Sequence, residues 1–313
     1  MAVNNTFSHG FAWGLPIMFF DIALLWRGNT GVFNQPLRQR TPTKSDDIIP
    51  PSWTWAAWHG QLSDRAWENS EYLCGQDTPK YWTVPIVDWC TGTDKDADPM
   101  PIPHVNEWHA YRKHYMGRST DLPPGWTYTL TKESSSTPET AMHDPDRGTS
   151  VKGVYNHENL NGNAFWYPIP LAKVQSPTIT SPSDQPLQYG RYLSCRSQQA
   201  CLTICKRTGI MPAYDTNFKV PLASPDNMDQ VICRLAADLG FSLGEIGDTV
   251  KVVAVSGRYP PRCPVQEAED NIESYNVLCV EWKDGVAYRR GVGEVKADAW
   301  ERLGKEEVDL ILG

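Results

Sequence analysis

Histidine and cysteine bind metals more often than other side chains, but their spacing here does not predict a metal site. His104, His109 and His114 recur every five residues, a step that turns each side chain by about 140° on a helix and alternates faces on a strand. Zinc sites usually show paired short spacings between their ligands, and these are missing here. Cys201 and Cys205 lie closest among the eight cysteines, in a strand-like run, and we interpret them as small buried hydrophobic residues. We therefore expect no metal and no cofactor.

Three carboxylates lie beside tryptophan or apolar residues, a setting that can raise a pKa for acid–base work on glycosidic bonds. They are Asp21, Asp88 and Glu281. In an acidic β protein that is rich in Trp, these carboxylates indicate carbohydrate binding or glycan processing as the alternative function. A structural role is the simpler interpretation, because Glu281 can pair across a hairpin with Arg289 or Arg290.

Nucleophilic and phosphate-binding motifs have little support in the sequence. It contains no G-x-x-x-x-G-K loop. The glycine-punctuated run 240–247 includes the letters G-x-S-x-G at 240–244, but it follows the ambiguous segment 228–239 rather than lying between a strand and a helix start, so we interpret it as a loop and not as a nucleophile elbow. We expect the protein not to be an enzyme. Arg289 and Arg290 are the candidate interaction residues, since arginine binds carboxylates through two parallel hydrogen bonds. A solvated strand face is the plainer interpretation of the same pair.

Length, charge and hydropathy limit the classes of protein. The 313 residues carry 29 Lys and Arg against 37 Asp and Glu, a net charge of −8, which argues against a nucleic-acid partner. Mean hydropathy is −0.47, and the longest apolar run, residues 11–26, is shorter than the roughly 20 residues of a spanning helix. No Lys or Arg precedes that run, unlike a signal peptide. We expect a cytoplasmic protein without a membrane partner.

Composition divides the chain into three parts. Residues 1–130 are rich in Trp and Pro, residues 131–186 contain Ser/Thr/Pro-rich runs at 132–138 and 176–183 around an apolar anchor at 165–171, and residues 187–313 alternate like strands. The runs predict long mobile connections. We predict a β-rich α+β protein with antiparallel strands, few short helices and long irregular loops. The first and last parts would be two small β modules that share one core.

The N-terminal part offers three strand candidates. Residues 19–26 fit a buried strand or a helical turn, and their length and aromatic content favour the strand. Residues 50–58 are the second candidate, since the double proline at 50–51 bars a helix before Trp53 and Trp55. Residues 81–89 are the third, with Pro85 at an edge or bulge. Alternation would place Trp53 and Trp55 on one face. These two residues, Trp282 and Trp300 are the predicted core tryptophans.

The C-terminal part predicts a series of strands. Residues 192–206 and 249–256 are strand candidates, the second with valines on both faces, and 275–282 and 286–293 flank Asp284-Gly285. Asp-Gly between alternating apolar runs is typical of a tight β-hairpin. We predict a short helix at 296–303 before Gly304 and a last strand with Val308, Leu310 and Leu312 on one face.

Residues 228–239 fit two structures. The spacing of Met228, Val231, Ile232, Leu235 and Leu239 is helical, with Ser224 before it as a possible cap. Val231, Cys233 and Leu235 also alternate as a strand would. The local pattern favours the helix.

Two blocks of the sequence resemble fungal heterokaryon-incompatibility proteins, in the region that follows their HET domain. The first block has GLP at 14–16, FD at 20–21, ALLW at 23–26, PSWTW at 51–55 and WHG at 58–60, with Thr54 where the family usually has Ser. The second has YNVL at 275–278, EW at 281–282, DGVAYR at 284–289, Gly293, AWE at 299–301 and VDL at 308–310. The matched positions that we expect to be structural are Asp21, Trp26, Trp53, Trp55, Trp58, Trp282, Asp284, Gly285 and Trp300.

The resemblance implies a function without catalysis. The HET domain itself, with its ALSYxWG-like and WIDxLCIxQ-like strands, has no counterpart here, so no residue inherits a catalytic role from it. Met1 is either the true start or the start of a shortened gene model. The resemblance implies an accessory or remnant module in self/non-self recognition and programmed cell death, with a HET domain in cis or trans or another incompatibility protein as its partner. It also favours a strand at 231–238, and we adopt the strand.

Overall fold

The computed structural model describes residues 10–28, 37–41, 49–60, 62–63, 73–74, 82–102, 114–115, 119–132, 151–160, 164–165, 168, 189–206, 219–238, 243–259 and 272–313. Within these ranges the fold is β-rich and antiparallel, with two short α-helices, which confirms the predicted class. No helix among them is long and apolar enough to cross a membrane.

The elements of the first half are short. They are β1 (Phe11–Ala12), β2 (Leu15–Pro16), α1 (Phe20–Ala23), β3 (Arg27–Gly28), β4 (Arg38–Gln39), β5 (Trp58–His59), β6 (Leu62–Ser63), β7 (Leu73–Cys74), β8 (Trp82–Pro85), β9 (Cys90–Gly92), β10 (Met100–Pro101), β11 (Trp126–Lys132), β12 (Val151–His157) and β13 (Ala164–Phe165), with 3₁₀ turns at Ile17–Phe19 and Trp55–Ala57.

The elements of the second half are longer. They are β14 (Tyr192–Ile204), β15 (Lys219–Ser224), β16 (Asn227–Ala237), β17 (Thr249–Tyr259), β18 (Ser274–Lys283), β19 (Val286–Lys296), α2 (Ala297–Glu301) and β20 (Lys305–Leu312). The strands expected at 192–206, 249–256 and 308–312, both arms of the hairpin and the short helix after 296 are confirmed.

Six of these strands close into an antiparallel barrel in the order β14–β15–β16–β19–β18–β17. The circuit closes where β17 pairs with β14, from Gln199 opposite Val253 to Thr203 opposite Thr249. β20 runs along the other edge of β14 and meets β19 in parallel at Ala287. Closure leaves these strands without the unpaired edges that promote aggregation.

The turn between β18 and β19 has the geometry that its sequence predicts. Asp284 and Gly285 both have positive φ, 52° and 78°, as a type I′ turn requires. The twist of this turn matches the twist of the two strands that it joins, so the two residues fix the register of the longest hairpin in the barrel.

β16 confirms the strand that the family resemblance favoured over the local helical spacing. Cys233 and Leu235 point into the barrel and are buried. The Ser224 hydroxyl accepts a hydrogen bond from the Asp226 N–H at 3.4 Å within the β15–β16 turn, instead of capping a helix. The segment pairs with β15 on one side and β19 on the other, whereas an isolated helix of fewer than about 12–15 residues is only marginally stable.

The strand predicted at 19–26 is wrong. A 3₁₀ turn at Ile17–Phe19 leads into α1, and the Leu24 N–H donates to the Phe20 carbonyl at 2.8 Å. All four α1 residues are buried. A helical turn satisfies its own backbone, so this apolar segment can be surrounded by core residues without a partner strand.

Alternate residues of the barrel strands belong to two hydrophobic clusters. Val252 and Ala254 of β17 face the barrel interior, where residues from all six strands meet Trp300 of α2. Val253 and Val255 face outward into a cluster that contains Phe20 and other residues of the N-terminal part. The prediction of valines on both faces of this strand is therefore confirmed.

The N-terminal part joins the same sheet and core. β9 pairs with β14, and β8 pairs with β17 at its Tyr259 end, with Pro85 ending β8 as expected for an edge. A separate sheet, β11–β12–β13–β7, includes β12 from the part where connections were expected. Residues 133–138 and 176–183 of the two Ser/Thr/Pro-rich runs lie outside the described residues, and the boundaries near 130 and 186 stay predictions.

Candidate functional site: a buried arginine between the two sequence blocks

Arg289 occupies the contact between the two blocks of sequence. It lies on β19 next to a bulge, where β18 pairs Cys279 with Gly291 and then Val280 with Arg289, leaving Arg290 as the extra residue. Bulges redirect side chains. Arg289 points inward with none of its side chain exposed, whereas Arg290 points toward the surface.

The Arg289 guanidinium is held by four partners. Its Nε donates to Oδ2 of Asp238 at 3.1 Å, Nη1 donates to the Leu24 carbonyl at 2.6 Å, and Nη2 donates to the Trp26 carbonyl. Its carbon centre lies 3.7 Å from the centroid of the Trp26 ring, in a cation–π contact. Two of these partners belong to the backbone that follows α1, so one side chain ties the first block to the barrel.

Asp238 supplies the only negative charge bonded to Arg289 among the described residues. Burial raises the pKa of the Asp238 carboxyl, and the charge and hydrogen bond of Arg289 oppose that rise. Burial also lowers the pKa of Arg289, but an arginine pKa starts so high that the side chain stays protonated. The Oδ1 atom of Asp238 is buried without a hydrogen-bond partner, which makes the neutralising arginine more important.

Ser52 makes a second link between the blocks, next to the first. The Arg289 N–H donates to the Ser52 hydroxyl at 3.0 Å, and that hydroxyl donates in turn to the Gly313 carbonyl. The Ser52 N–H donates to the same carbonyl at 2.9 Å. One serine therefore connects β19, the residue after β20 and the PSWTW motif.

The motif tryptophans use their N–H groups to join separate segments. Trp26 donates to the Trp53 carbonyl at 2.8 Å, and Trp58 donates to the Ser52 carbonyl at 3.2 Å. Trp53 reaches the Arg191 carbonyl at 3.1 Å. Buried tryptophan normally pairs its polar N–H in this way, and here the pairs hold the first block to itself and to the start of β14.

The arrangement is suited to holding the fold together rather than to chemistry. Both charges of the Arg289–Asp238 pair are sealed, with 0% and 1% of their side chains exposed, and a ligand could reach Arg289 only after Leu24 and Trp26 move. We call Arg289, Asp238, Trp26 and Ser52 the arginine node.

The structure separates the two arginines that the sequence singled out. Arg290 pairs with Glu281 across the hairpin at 2.6 Å, with the glutamate 60% exposed, as the simpler interpretation of Glu281 predicted. Arg289 is not on a solvated face. Alternation alone would have placed one of two consecutive arginines inward, but no signal in the sequence pattern indicated its buried partner Asp238, 51 residues away.

Most of the other motif positions are internal. Trp282 donates to Gln199 Oε1 at 2.8 Å and Trp300 to Gln198 Oε1 at 3.3 Å. Buried motif residues are Asp21, Trp26, Trp53, Trp58 and Trp300, while Trp282 is partly buried. Trp55 corrects the prediction of a core residue, because 40% of it is exposed. The 3₁₀ turn that begins at Trp55 breaks the alternation that was expected to align it with Trp53.

The three predicted acid–base carboxylates lie in different surroundings. Asp21 is buried in α1, Asp88 is exposed, and Glu281 is engaged by Arg290. Burial, followed by the charge of Asp238, raises the pKa of the Cys279 thiol to about 12, so this thiol is protonated at neutral pH and is a poor nucleophile. Cys201, expected to be buried, is exposed.

A cavity of about 600 Å³ lies at the end of the barrel where β19 leads into α2. Arg258 lines it and pairs with Glu294, which also accepts a hydrogen bond from the Ser274 hydroxyl at 2.8 Å. Lys296 and Asp298 lie at the same cavity. Positive and negative groups are interspersed, so the cavity has no strong preference for a ligand of either charge.

No group of three or more His, Cys, Asp or Glu side chains is placed to hold a metal ion in the described part of the chain. His114 is described, whereas His104 and His109 lie outside the described residues. Comparisons with protein-family models, with curated proteins and with solved structures found no match to this chain.

Proposed function

We propose that the protein is a non-catalytic accessory module of a fungal heterokaryon-incompatibility system, active in self/non-self recognition and regulated cell death. It acts in the cytoplasm by binding a HET domain, in cis or in trans, or another incompatibility protein. The proposal starts from the resemblance of the two sequence blocks to the region that follows the HET domain.

The observation that carries the proposal is the arginine node. The first block contributes Ser52, Trp26 and the Leu24 carbonyl, and the second contributes Arg289. The two blocks that carry the resemblance thus bind each other directly, as parts of one folded unit would. The polar residues that the two blocks contribute to the arginine node stabilise this folded unit, which supports a scaffolding role for the matched motifs.

A binding experiment tests the partner. The purified chain, immobilised through a tag, is incubated with a purified HET domain from a fungal incompatibility protein, and an unrelated domain of similar size and charge is the control. Retention of the HET domain over the control is the expected result. Equal recovery of the two domains would remove the support for a HET partner.

A turnover experiment tests the absence of catalysis. The chain is incubated with NAD, because the HET domain has been likened to nucleotide-hydrolysing folds, and released nicotinamide is measured by chromatography. We expect release equal to that of the heat-denatured chain. Sustained release above that level would overturn the non-catalytic proposal.

One observation favours the alternative of carbohydrate binding. The exposed Trp55 ring offers an aromatic face of the kind on which sugars stack, and its N–H is already fixed to the Gly14 carbonyl at 3.2 Å. Retention on immobilised polysaccharide that is lost in Trp55→Ala would establish this alternative, and unretarded elution would dismiss it.

A further inference from the structure

A basic surface on β4 and β5 is separate from the arginine node. Arg38 lies opposite His59 in the pairing of these strands, and Gln39 lies opposite Trp58. Trp58 is buried, so His59 and its neighbour Arg38 face outward. Arg40 lies two residues beyond Arg38 and is exposed as well. We call Arg38, Arg40 and His59, together with Trp55 at the start of the 3₁₀ turn that leads into β5, the β4 surface.

The β4 surface has a defined backbone. The Arg40 N–H donates to the Ala57 carbonyl at 2.7 Å, next to the 3₁₀ turn that carries Trp55. Trp58 anchors β5 from below, with its ring packed at 6.1 Å from the Trp26 ring of the arginine node. The exposed residues therefore project from a strand pair that is fixed to the core.

Among the described residues, no acidic neighbour pairs with the two arginines of this surface. Neither Arg38 nor Arg40 forms an ion pair within the described ranges, whereas Arg196, Arg258, Arg290 and Arg302 each do. Arg40 makes one long hydrogen bond, from Nε to the Trp58 carbonyl at 3.5 Å. Within the part of the chain that the structure describes, most of the donor positions on both guanidinium groups therefore have no partner.

The charge of the surface is opposite to that of the chain. Residues 1–60 contain four Lys and Arg and three Asp and Glu, so the excess acid behind the net charge of −8 lies elsewhere. Nucleic acid and anionic membranes are extended polyanions that would also meet the acidic remainder. A short acidic peptide can contact two arginines alone, through bidentate carboxylate pairs.

We propose that the β4 surface binds an acidic segment of a partner protein, with Arg38 and Arg40 pairing with its carboxylates and the Trp55 ring packing against its apolar atoms. The inference names the partner-facing surface of the module and in that respect rests on the proposed function. Arg38 and Arg40 thereby take the place of Arg289 and Arg290 as the arginines offered to a partner. Arg289 is buried against Asp238, and Arg290 pairs with Glu281 across the hairpin.

A fluorescently labelled peptide of ten glutamates with one central leucine is the probe, and its anisotropy is measured with the full chain at low and moderate salt. Arg38→Glu/Arg40→Glu should weaken binding by about tenfold or more. The matched control is Lys251→Glu/Lys283→Glu, which makes the same charge change at exposed barrel positions and should leave most of the affinity. Affinity should also fall as salt rises.

The result is read against three alternatives. Equal weakening by both double variants, or none by the first, would overturn the proposal. Tighter binding of labelled DNA or of anionic vesicles than of the peptide, through the same arginines, would assign the surface to those partners instead. Association of the chain with itself that the first variant abolishes, seen by gel filtration, would assign it to a second copy.

The HET-domain binding experiment, repeated with Arg38→Glu/Arg40→Glu, separates this inference from the proposed function. If the variant retains the HET domain as well as the unchanged protein does, the surface assignment fails and the function stands. If the peptide binds through the two arginines but no HET domain is retained, the surface stands and the function fails.

Discussion

Replacing Arg289 with methionine tests the arginine node most directly. Methionine preserves much of the length and apolar packing of the side chain, but it has no charge and no hydrogen-bond donors. Asp238 would then keep a buried carboxylate without its arginine, and the Leu24 and Trp26 carbonyls would each lose a donor.

The expected loss is large. Removing one partner of a buried ion pair costs about 3–5 kcal/mol, and each buried carbonyl left without a donor costs about 1–3 kcal/mol. These costs overlap because the same site relaxes once, so we expect the free energy of unfolding to fall by about 4 kcal/mol. That is a sizeable part of the roughly 5–15 kcal/mol of a typical domain.

Equilibrium unfolding in urea, followed by tryptophan fluorescence, measures this loss as a lower midpoint at an unchanged slope. Arg290→Met is the matched control, because it removes the adjacent arginine, whose side chain is 16% exposed, from an ion pair whose glutamate is 60% exposed. We expect the control to lose about 1 kcal/mol or less. Arg289→Lys, which keeps the charge but not the planar fork, should fall between the two and gives a measurable variant if the methionine variant does not fold.

The loss of unfolding free energy caused by Arg289→Met should depend on pH in one direction. Burial already raises the pKa of Asp238 against the opposing charge of Arg289, so removing the arginine raises that pKa further. A carboxyl whose folded-state pKa lies above its unfolded value stabilises the fold at low pH, and this contribution is lost as the pH rises through the folded pKa. The loss caused by Arg289→Met should therefore be smaller at about pH 5 than at about pH 8.

A double variant tests whether the unpaired charge of Asp238 causes the loss. Asp238→Asn/Arg289→Met removes both charges, so its loss should be smaller than that of Arg289→Met alone at the higher pH. The reasoning is refuted if Arg289→Met loses no more free energy of unfolding than Arg290→Met does, or if its loss grows as the pH falls.

Two further predictions concern the turn and the tryptophans. Gly285→Ala should reduce the free energy of unfolding by about 1 kcal/mol through backbone strain alone, since φ is 78° and an added Cβ meets no atom within 4 Å. Gly304→Ala is the matched control, because it has equal space and no positive φ. Equal midpoints in urea for the two variants would contradict the strain argument. Trp53→Ala should lower the free energy of unfolding by about 3–5 kcal/mol because the ring is fully buried, and Trp55→Ala should lower it much less. The same urea denaturation assay compares the two variants. A larger loss for Trp55→Ala than for Trp53→Ala would count against the described packing.

Where local rules are strong, the sequence predicted the structure. Alternating valines identified β17, and Asp284-Gly285 identified the hairpin, because a type I′ turn and a period of two depend only on neighbouring residues. The β-rich class, the last strand and the short helix before Gly304 followed in the same way. The resemblance corrected the local pattern at β16, where helical and alternating spacing coexist within a few residues.

Local rules failed where distant residues decide the outcome. The segment at 19–26 is apolar throughout, so its composition fits either a buried strand or a helical turn, and the surrounding core selected α1. Trp55 was expected inside because alternation was assumed to continue past Trp53, but the 3₁₀ turn at Trp55–Ala57 changed the direction of the chain.

The candidate site shows the same division. The sequence by itself determined that two consecutive arginines lie on a strand beside a tight turn, and that one could pair with Glu281. Only the tertiary structure decided that Arg289 turns inward, because its partners Asp238 and the Leu24 carbonyl lie 51 and 265 residues away in the chain. A buried charge is stable only where such partners converge, and that convergence depends on the closed barrel and on the N-terminal part that packs against it.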